Sequence, residues 1–386
     1  MPTPTTRWTV PDAPPRRLTA LARGRFALLA LAALIPALWH LRGGALPGDW
    51  PFFQQAAEVL LGRSATAPLH LYEALPATQV GPLPLLVTAP ATLLPGTVGG
   101  TVTAAVLAMC LPLCCALLEA SARTVLGPDP WLPVTTLAAG AFASIYWWRL
   151  AAEYAHPDDA LVGVALAGAL LCVVRGRHLR AAVLLGLAAS GKPWAVGLLP
   201  LAAASRAGAS PRWGAAVLAG AVAALPWLPF LLGARGTWSA LSGFRVDVWT
   251  TSPLTLLGVT GPVPGWVRPA QFALAVAVCA LAVARGRWQL GAFLAVAARL
   301  ALEPQAWDYY FATLALAALA ADLLRRRGRG PWLTAATVLV LYDARWLADD
   351  AALIGALQAL PLVAGLALLV RWPLPGRVPA QVGPTC

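Results

Sequence analysis

Residues 181–203 have the sequence AAVLLGLAASGKPWAVGLLPLAA and decide how the chain is arranged. The run is apolar and long enough for a membrane helix, yet Lys192 and Pro193 lie near its middle. Proline removes an N–H group from a helix and favours extended backbone at the residue before it, and a charge at membrane depth is costly. We therefore expect two half-helices, 181–191 and 193–203, with Lys192 at the turn between them.

The composition around this segment is that of a membrane protein. Of the 386 residues, 59% are hydrophobic and only 11% are charged, and the mean hydropathy is +0.70. Since a soluble domain carries about 25% charged residues, a soluble enzyme is excluded. With the two half-helices, the other apolar runs predict an all-α polytopic membrane protein of about 11–12 transmembrane segments. These runs are 26–41, 101–119, 131–148, 159–174, 213–232, 269–284, 288–302, 306–324, 331–347 and 351–370.

The charges predict one topology for these segments. The net charge is +12, but the basic residues lie between apolar runs, which argues against a nucleic-acid partner. A cytoplasmic N-terminus places 19 of the 27 arginines inside and 12 of the 16 acidic residues outside, as the positive-inside rule requires. We therefore expect a multi-pass protein of the cell membrane with both termini in the cytoplasm. It would comprise a basic tail (1–25), a transmembrane domain (26–371) and a C-terminal tail (372–386).

The first outer loop, residues 42–100, is the longest and carries the first candidate site residue. Asp49 precedes the amphipathic stretch WPFFQQAAEVLL, residues 50–61, which we expect to lie in the membrane interface with its aromatic side chains towards lipid. An acid directly before Trp-Pro is also a typical helix N-cap. The apolar piece 83–95 is too short to cross and should stay outside.

Short motifs in this loop and in the half-helices resemble a known superfamily. They are Asp49 after the first helix, Leu71-Tyr72, GPLPLL at 81–86 running to Leu94-Pro95, and GLAASGKPW at 186–194. This pattern resembles the integral-membrane GT-C glycosyltransferases. Within them it is most similar to glycosyltransferase family 87, the polyprenol-phosphate-mannose-dependent α-mannosyltransferases.

The resemblance implies a GT-C-like fold and a specific reaction. Such an enzyme transfers a sugar, here mannose or a related sugar, from a polyprenyl-phosphate donor to an acceptor hydroxyl on the outer face, with inversion. The acceptor would be a glycan or glycolipid, and membrane lipid surrounds the protein. Asp49 would be the general base, because the acceptor hydroxyl must lose its proton as it attacks the anomeric carbon.

Cationic side chains are expected to meet the negative charge that grows on the leaving phosphate. The candidates are Lys192, Arg245 and His156. A lysine that snorkels to the interface is the alternative for Lys192. His156 belongs to a second outer loop with Asp158 and Asp159, which either cap the next helix or contact the acceptor. These three could hold a divalent ion, but without a fourth ligand no metal site and no cofactor are predicted.

Further polar and aromatic residues of the outer loops are candidates for lining the substrate site. The segment EPQAWDYY, residues 303–310, resembles a D-P-x-x-W-x-Y-Y element of actinobacterial members of the superfamily, with glutamate in place of the aspartate. Glu58 lies about 180° around a helix from Asp49, so a solvated charge is the simpler interpretation. The predicted lining residues are Glu58, Tyr72, Gln79, Asp158, Asp159, Trp249, Glu303, Trp307, Asp308 and Tyr309.

Two other functions are compatible with these features. A transporter or flippase of a lipid-linked or anionic substrate would also place Lys192 between half-helices, where it would bind the carried anion. The long amphipathic first loop favours the transferase. The chain has His156-Pro157-Asp158-Asp159 where relatives often have Gly-Gln-x-Asn, which leaves open an altered specificity or an inactive assembly subunit.

Overall fold

The computed structural model describes residues 13–205, 210–325, 330–347 and 350–371. Within 330–347, side chains are described only as far as Tyr342. Residues 1–12 and the predicted C-terminal tail, 372–386, lie outside the described residues. Regular structure in the described ranges is helical apart from a β-bridge between Asp247 and Pro262. The predicted all-α fold is therefore confirmed.

Each predicted apolar run is helical over most of its length, although the run 306–324 becomes helical only at Tyr310. The α-helices are α1 (Arg16–Arg23), α2 (Arg25–His40), α3 (Trp50–Leu60), α4 (Leu71–Ala74), α5 (Pro82–Thr88), α6 (Gly96–Leu126), α7 (Leu132–Trp148), α8 (Pro157–Val174), α9 (His178–Gly191), α10 (Trp213–Ala224), α11 (Leu228–Gly233), α12 (Thr237–Gly243), α13 (Val267–Ala284), α14 (Gly291–Ala301), α15 (Tyr310–Arg325), α16 (Trp332–Leu347) and α17 (Ala351–Arg371). The 3₁₀ segments are Arg42–Gly44, Pro68–His70, Ala89–Leu93, Pro193–Ala203, Leu225–Trp227, Pro253–Leu257 and Trp288–Leu290. Arg149–Tyr154 forms a π-helical turn.

The lengths of these helices fit a multi-pass membrane protein. Within the described ranges, five helices are long and apolar enough to cross a membrane: α6, α8, the continuous stretch Trp213–Gly233, α13 and α17. The pair α1 and α2, bent by 64°, makes a sixth if it is one span. The larger total of about 11–12 segments includes shorter helices such as α9 and α14 and stays a prediction.

The segment with Lys192 forms a helical hairpin, as its sequence predicts. Lys192 has extended backbone (φ −136°, ψ 108°) and separates α9 from the 3₁₀ segment Pro193–Ala203. The two arms are antiparallel neighbours. This is shown by His178, at the base of α9, whose Nδ1 lies 3.4 Å from the carbonyl oxygen of Ala202 near the end of the second arm. We name this unit, residues 178–203, the Lys192 hairpin. Lys192 is at its tip.

A cluster of charges lies where α2 begins. Nε of Arg25, at the start of α2, donates to Glu119 Oε2 at 2.6 Å, and Arg123 donates to Oε1 of the same carboxylate at 2.6 Å. The other end of α2 lies near the Arg149–Tyr154 turn, since the rings of His40 and Trp148 are 5.9 Å apart. Glu119 therefore lies at the opposite end of the bundle from that turn.

One expectation for the first loop is wrong. The aromatic side chains of α3 were expected to face lipid, but Trp50 and Phe53 are buried within the protein. Glycines explain the close packing, because a Cβ atom on Gly99 would lie 3.1 Å from the Trp50 ring and one on Gly100 would lie 3.2 Å from it. Small residues on α6 thus let α3 dock against the bundle.

Candidate active site

Three separate parts of the chain meet at the tip of the Lys192 hairpin. His156, between α7 and α8, lies with its Nε2 2.7 Å from Asp49 Oδ2 and its Nδ1 3.0 Å from Asp158 Oδ1. Lys192 donates to Asp158 Oδ2, and its Nζ lies 3.2 Å from Asp159 Oδ2. The predicted residues Asp49, His156, Asp158, Asp159 and Lys192 therefore form one network of hydrogen bonds and ion pairs.

Asp49 is positioned by backbone hydrogen bonds to the π-helical turn Arg149–Tyr154. The N–H of Gly48 donates to the carbonyl of Glu153 at 2.8 Å, and the N–H of Asp49 donates to the carbonyl of Tyr154 at 3.0 Å. Asp49 directly precedes α3, but its side chain makes no capping hydrogen bond. The N-cap interpretation is therefore wrong for the side chain, because the carboxylate is directed at His156 instead.

The π-helical turn Arg149–Tyr154 determines where His156 lies. The turn ends at Ala155, which has a positive φ of 55° although it is not glycine. Alanine in this left-handed region is strained by about 1 kcal/mol or more. The N–H of His156 then returns to the carbonyl of Leu150 at 3.0 Å. The wide turn and the strained residue together direct the imidazole towards Asp49, and π-helical turns are frequent at functional sites.

The buried carboxylates of α8 are neutralised by side chains and not by the helix alone. Asp158 and Asp159 lie in the first turn of α8, where the helix dipole favours acids. Both are fully buried, and Trp194 Nε1 donates to Asp159 Oδ1 at 3.1 Å. Lys192 is itself only 8% exposed, so it does not snorkel to the surface. The Lys192 ammonium bridges two carboxylates.

Aromatic rings enclose His156. The ring of Tyr309 stacks on the imidazole with a centroid distance of 3.8 Å and an angle of 15°, and Phe53 meets it edge-on at 5.7 Å. Burial alone would lower the pKa of His156, but the neighbouring carboxylates of Asp158 and Asp49 outweigh burial and raise it above 6.5. The carboxylates thus favour the imidazolium more than water does, and an imidazolium can donate to both of them.

Asp49 is the member of the network whose side chain is most exposed to solvent. Its side chain is 44% exposed, whereas those of His156 and Lys192 are about 10% exposed or less. Because Oδ2 is bonded to His156, the carboxylate is held in one orientation. The arrangement can therefore accept a proton from a ligand at Asp49 while buried cations balance the carboxylates behind it.

The network has one triad that could bind a metal ion. Ligand atoms of His156, Asp158 and Asp159 all lie within 4.8 Å of one another. However, Lys192 already supplies positive charge to both carboxylates. A divalent ion would have to displace this ammonium, so the geometry favours the ion-pair network over a metal centre.

A second charged cluster contains Glu303. This carboxylate is 1% exposed, accepts from Arg268 Nη1 at 3.0 Å and from Gln271 Nε2 at 3.0 Å, and lies 3.5 Å from Arg299 Nε. The Arg299 guanidinium packs over the Tyr310 ring at 3.9 Å and the Trp194 ring at 4.7 Å. Glu303 is thus linked to the His156 network through aromatic rings, without touching it.

Two more predicted lining residues lie beside the His156 network. Asp308 is buried and accepts from Arg149, and it directly precedes Tyr309. The ring of Trp307 lies 5.8 Å from Tyr154 and 4.6 Å from Trp249, whose backbone N–H donates to Pro304. The segment 303–310 therefore forms one wall of the site.

The other candidates make different contacts. Arg245 is exposed and donates to the carbonyls of Ser242 and Phe244. Glu58 accepts from Gln54 at 3.2 Å on its own helix, and Gln79 donates to Pro76 at 2.7 Å. Tyr72 is buried, donates to the carbonyl of Val80 and stacks on Trp227. Among the described contacts, none joins these four residues to the His156 network.

Three residues of the site were not predicted from the sequence. Trp194 follows Lys192-Pro193, Arg299 lies four residues before Glu303, and Arg149 begins the second outer loop. Arginines at the ends of apolar runs were a usable signal, because a charge at that depth needs a partner. No family model, curated protein or solved structure matches the chain.

Proposed function

We propose that the chain is a membrane glycosyltransferase that moves a sugar from a polyprenyl-phosphate donor to an acceptor hydroxyl. The observation that supports this best is the exposed carboxylate of Asp49, held by His156 in a network with buried Lys192. The donor sugar is mannose or a related sugar, and the acceptor is a glycan or glycolipid. No nucleic acid takes part.

The reaction assigns a role to each member of the network. Asp49 removes the proton of the acceptor hydroxyl, whose oxygen attacks the anomeric carbon of the donor. The bond between that carbon and the phosphate oxygen breaks, and polyprenyl phosphate leaves with the electron pair. Attack opposite the leaving group inverts the anomeric carbon, so a β-linked donor gives an α-linked product. The proton on Asp49 passes to solvent.

His156 and Lys192 act on charge in this scheme. His156 orients Asp49, and as an imidazolium it lies close to the reacting centre, where it offsets the charge that grows on the phosphate. Lys192 keeps Asp158 ionised and thereby holds His156 in place. Because Lys192 is engaged by two carboxylates, its contact with the donor phosphate requires an exchange of partners.

We further propose that this site faces the outside of the cell membrane. The arginine distribution supports this orientation, since the base of the Lys192 hairpin carries Arg175, Arg177 and Arg212 in its connections and Arg180 in the first turn of α9. Both termini are then cytoplasmic. A lipid-linked donor reaches the site from within the bilayer.

The alternative is a transporter or flippase that performs no covalent chemistry. The hairpin with a lysine at its tip favours it, because discontinuous helices form binding sites in many transporters. Against it, the exposed member of the network is the carboxylate of Asp49, a group suited to accept a proton and not to bind a carried anion.

The substitution Asp49→Asn distinguishes the two functions. We expect it to abolish sugar transfer in membranes supplied with a radiolabelled lipid-phosphate sugar, while donor binding is retained, because an amide cannot take the acceptor proton. Glu58→Gln is the matched control and should leave transfer unchanged, since the carboxylate of Glu58 bonds only to Gln54 among the described contacts. Undiminished transfer by the Asp49→Asn protein would remove Asp49 from the mechanism.

A further inference from the structure

The first helix, α1, is amphipathic and contains no acidic residue. Its sequence is RRLTALAR. Its apolar side chains Leu18, Leu21 and Ala22 lie within a sector of about 100° around the helix axis, and its three arginines lie outside that sector. A helix that combines an apolar stripe with a basic face is typical of a segment that lies in the membrane interface.

The apolar stripe of α1 is only partly covered by protein. Ala22 is buried, and α1 packs against α7. By contrast, Leu18 and Leu21 are 38% and 53% exposed. The apolar helix α2 follows directly and exposes Leu28 and Leu31, so the lipid that surrounds α2 is adjacent to α1. The bilayer can therefore bury the two leucines of α1 that the protein leaves exposed.

A bend between α1 and α2 directs α1 along the membrane surface. The chain bends by 64° between the two helices, at Gly24. When α2 crosses along the bilayer normal, α1 therefore lies closer to the membrane plane than to the normal. The bend is held by Arg25, whose Nη1 donates to the carbonyl of Ala22 at 2.7 Å while its Nε donates to Glu119 of α6. The direction of α1 is thus fixed by contacts within the bundle.

The charge around α1 is positive. The helices α1, α2, α6 and α7 and the connection between α6 and α7 carry five arginines and two acids, an excess of three positive charges. The arginines are Arg16, Arg17, Arg23, Arg25 and Arg123, and the acids are Glu119 and Asp129. Asp129 accepts from the N–H of Trp131, and Glu119 is shared by Arg25 and Arg123. Among the described contacts, the three exposed arginines of α1 have no acidic partner, so they are available to an anion outside the protein.

Arg123 adds a partly free guanidinium near the end of α1. Its Nε and Nη2 donate to Glu119 Oε1 at 3.0 and 2.6 Å. Its Nη1 has no partner among the described contacts, and its side chain is 48% exposed. One carboxylate cannot neutralise both Arg25 and Arg123, so this group keeps a net positive charge. Guanidinium groups are well suited to bind phosphate oxygens.

We propose that α1 selectively binds anionic phospholipid, with Leu18 and Leu21 at the boundary of the acyl chains and the arginines at the headgroup phosphates. Clusters of about four to eight basic residues on an amphipathic helix or beside a membrane helix are typical of such binding, and each strengthens it about fivefold. In the orientation proposed above, this lipid belongs to the cytoplasmic leaflet. The inference goes beyond the proposed function and does not depend on it, because α1 lies with Glu119 at the end of the bundle opposite the π-helical turn.

Photolabelling with two lipids tests where anionic phospholipid binds. The full chain is placed in phosphatidylcholine nanodiscs that contain a small fraction of a photoactivatable lipid, either phosphatidylglycerol or phosphatidylcholine, with a diazirine at the same acyl carbon near the headgroup. We expect the phosphatidylglycerol probe to label residues 16–25 and the end of α6 more than roughly tenfold better than the phosphatidylcholine probe, because several cations act on its phosphate. Equal labelling of this region by the two probes, or a preference confined to other helices, would overturn the proposal.

A pair of variants with the same change in charge tests the arginines of α1. The double variant Arg17→Gln with Arg23→Gln should lower the preference of α1 for phosphatidylglycerol roughly tenfold, because two cations are lost from the helix. The control, Arg175→Gln with Arg177→Gln, removes two exposed arginines from the base of the Lys192 hairpin and should leave the preference unchanged. Equal losses in the two double variants would show that the preference follows net charge, and they would overturn the role of α1. If the first variant does not fold, the comparison of the two probes on the unmodified protein still decides the proposal.

Discussion

His156 lies between two carboxylates, and this makes the stability of the protein depend on pH. Burial opposes the imidazolium, but Asp158 and Asp49 outweigh it, so the folded-state pKa lies above 6.5. A raised pKa contributes stability that is fully present below the unfolded value, about 6.5, and is lost as pH rises through the folded value. We expect the unfolding midpoint of the detergent-solubilised protein to fall as the pH is raised from about 6.5 through the folded-state value.

The control for this pH dependence is His156→Gln, which keeps hydrogen-bonding capacity but has no group that titrates near neutral pH. We expect its unfolding midpoint to vary less between neutral and alkaline pH than that of the unmodified protein. Parallel pH profiles for the two proteins would show that another group causes the dependence. Scanning fluorimetry in detergent is a sufficient measurement, because the chain contains 17 tryptophans.

Among the residues of the network, Lys192 is the one whose replacement should lower the free energy of unfolding most. Lys192→Met leaves Asp158 and Asp159 buried without their cation, which should reduce the free energy of unfolding by roughly 3–5 kcal/mol. Chemical denaturation in detergent measures this. The double variant with Asp158→Asn should recover part of the loss, because one carboxylate is then neutral. Arg245→Met is the control and should change the free energy of unfolding by less than about 0.5 kcal/mol. If Lys192→Met changed it by no more than Arg245→Met does, the buried ion pairs would not stabilise the fold.

The sequence identified much of the network but not all of its contacts. Asp49 and Lys192 are conspicuous because one follows the first helix and the other is the only lysine. The stack of Tyr309 on His156 joins residues on either side of several helices, and no local pattern encodes it. Arg245 was predicted to contact the phosphate because it is a cation in a loop rich in aromatic residues. Such a loop is equally typical of the membrane–water interface.

At the scale of elements, the contact between α5 and the Lys192 hairpin fixes the position of the tip. The N–H of Gly81 donates to the carbonyl of Gly191 at 2.8 Å. A Cβ atom at Gly81 would lie 1.7 Å from the carbonyl oxygen of Ser190, which is impossible without a backbone shift. This close contact explains why the GPLP turn begins with glycine.

Gly81→Ala should therefore displace the tip of the hairpin. We expect the stability to fall by roughly 1–3 kcal/mol, the usual cost of overpacking, and sugar transfer to fall more than the amount of folded protein. Gly220→Ala on α10 is the matched control, because a Cβ atom there meets nothing within 4 Å. Similar behaviour of the two alanine variants would show that the close contact is unimportant.

The elements were more predictable than their connections. Lys192-Pro193 marks the break in the hairpin, because proline lacks a donor and a buried charge needs a cavity or a partner. The π-helical turn at Arg149–Tyr154 could not be predicted, because it depends on the docking of Gly48 and Asp49 from a distant loop. The inward packing of Trp50 depends on glycines of α6, which hydropathy does not reveal.

At the scale of the whole molecule, the orientation in the membrane can be measured directly. In a background in which Cys386 is replaced by serine, Ser242→Cys should react with a membrane-impermeant maleimide on intact cells. Arg285→Cys should react only after the cells are opened, because the arginine distribution places its loop inside. The reverse pattern would invert the topology and place the candidate site in the cytoplasm.

The ion pairs at the tip also have a consequence for biogenesis. Asp158 emerges from the ribosome 34 residues before Lys192, the lysine that neutralises it. Until then α8 carries two carboxylates that resist transfer from the translocon into lipid. We expect α8 to be retained there until Lys192 arrives, so that α8 and the two hairpin arms leave together as one inserted unit.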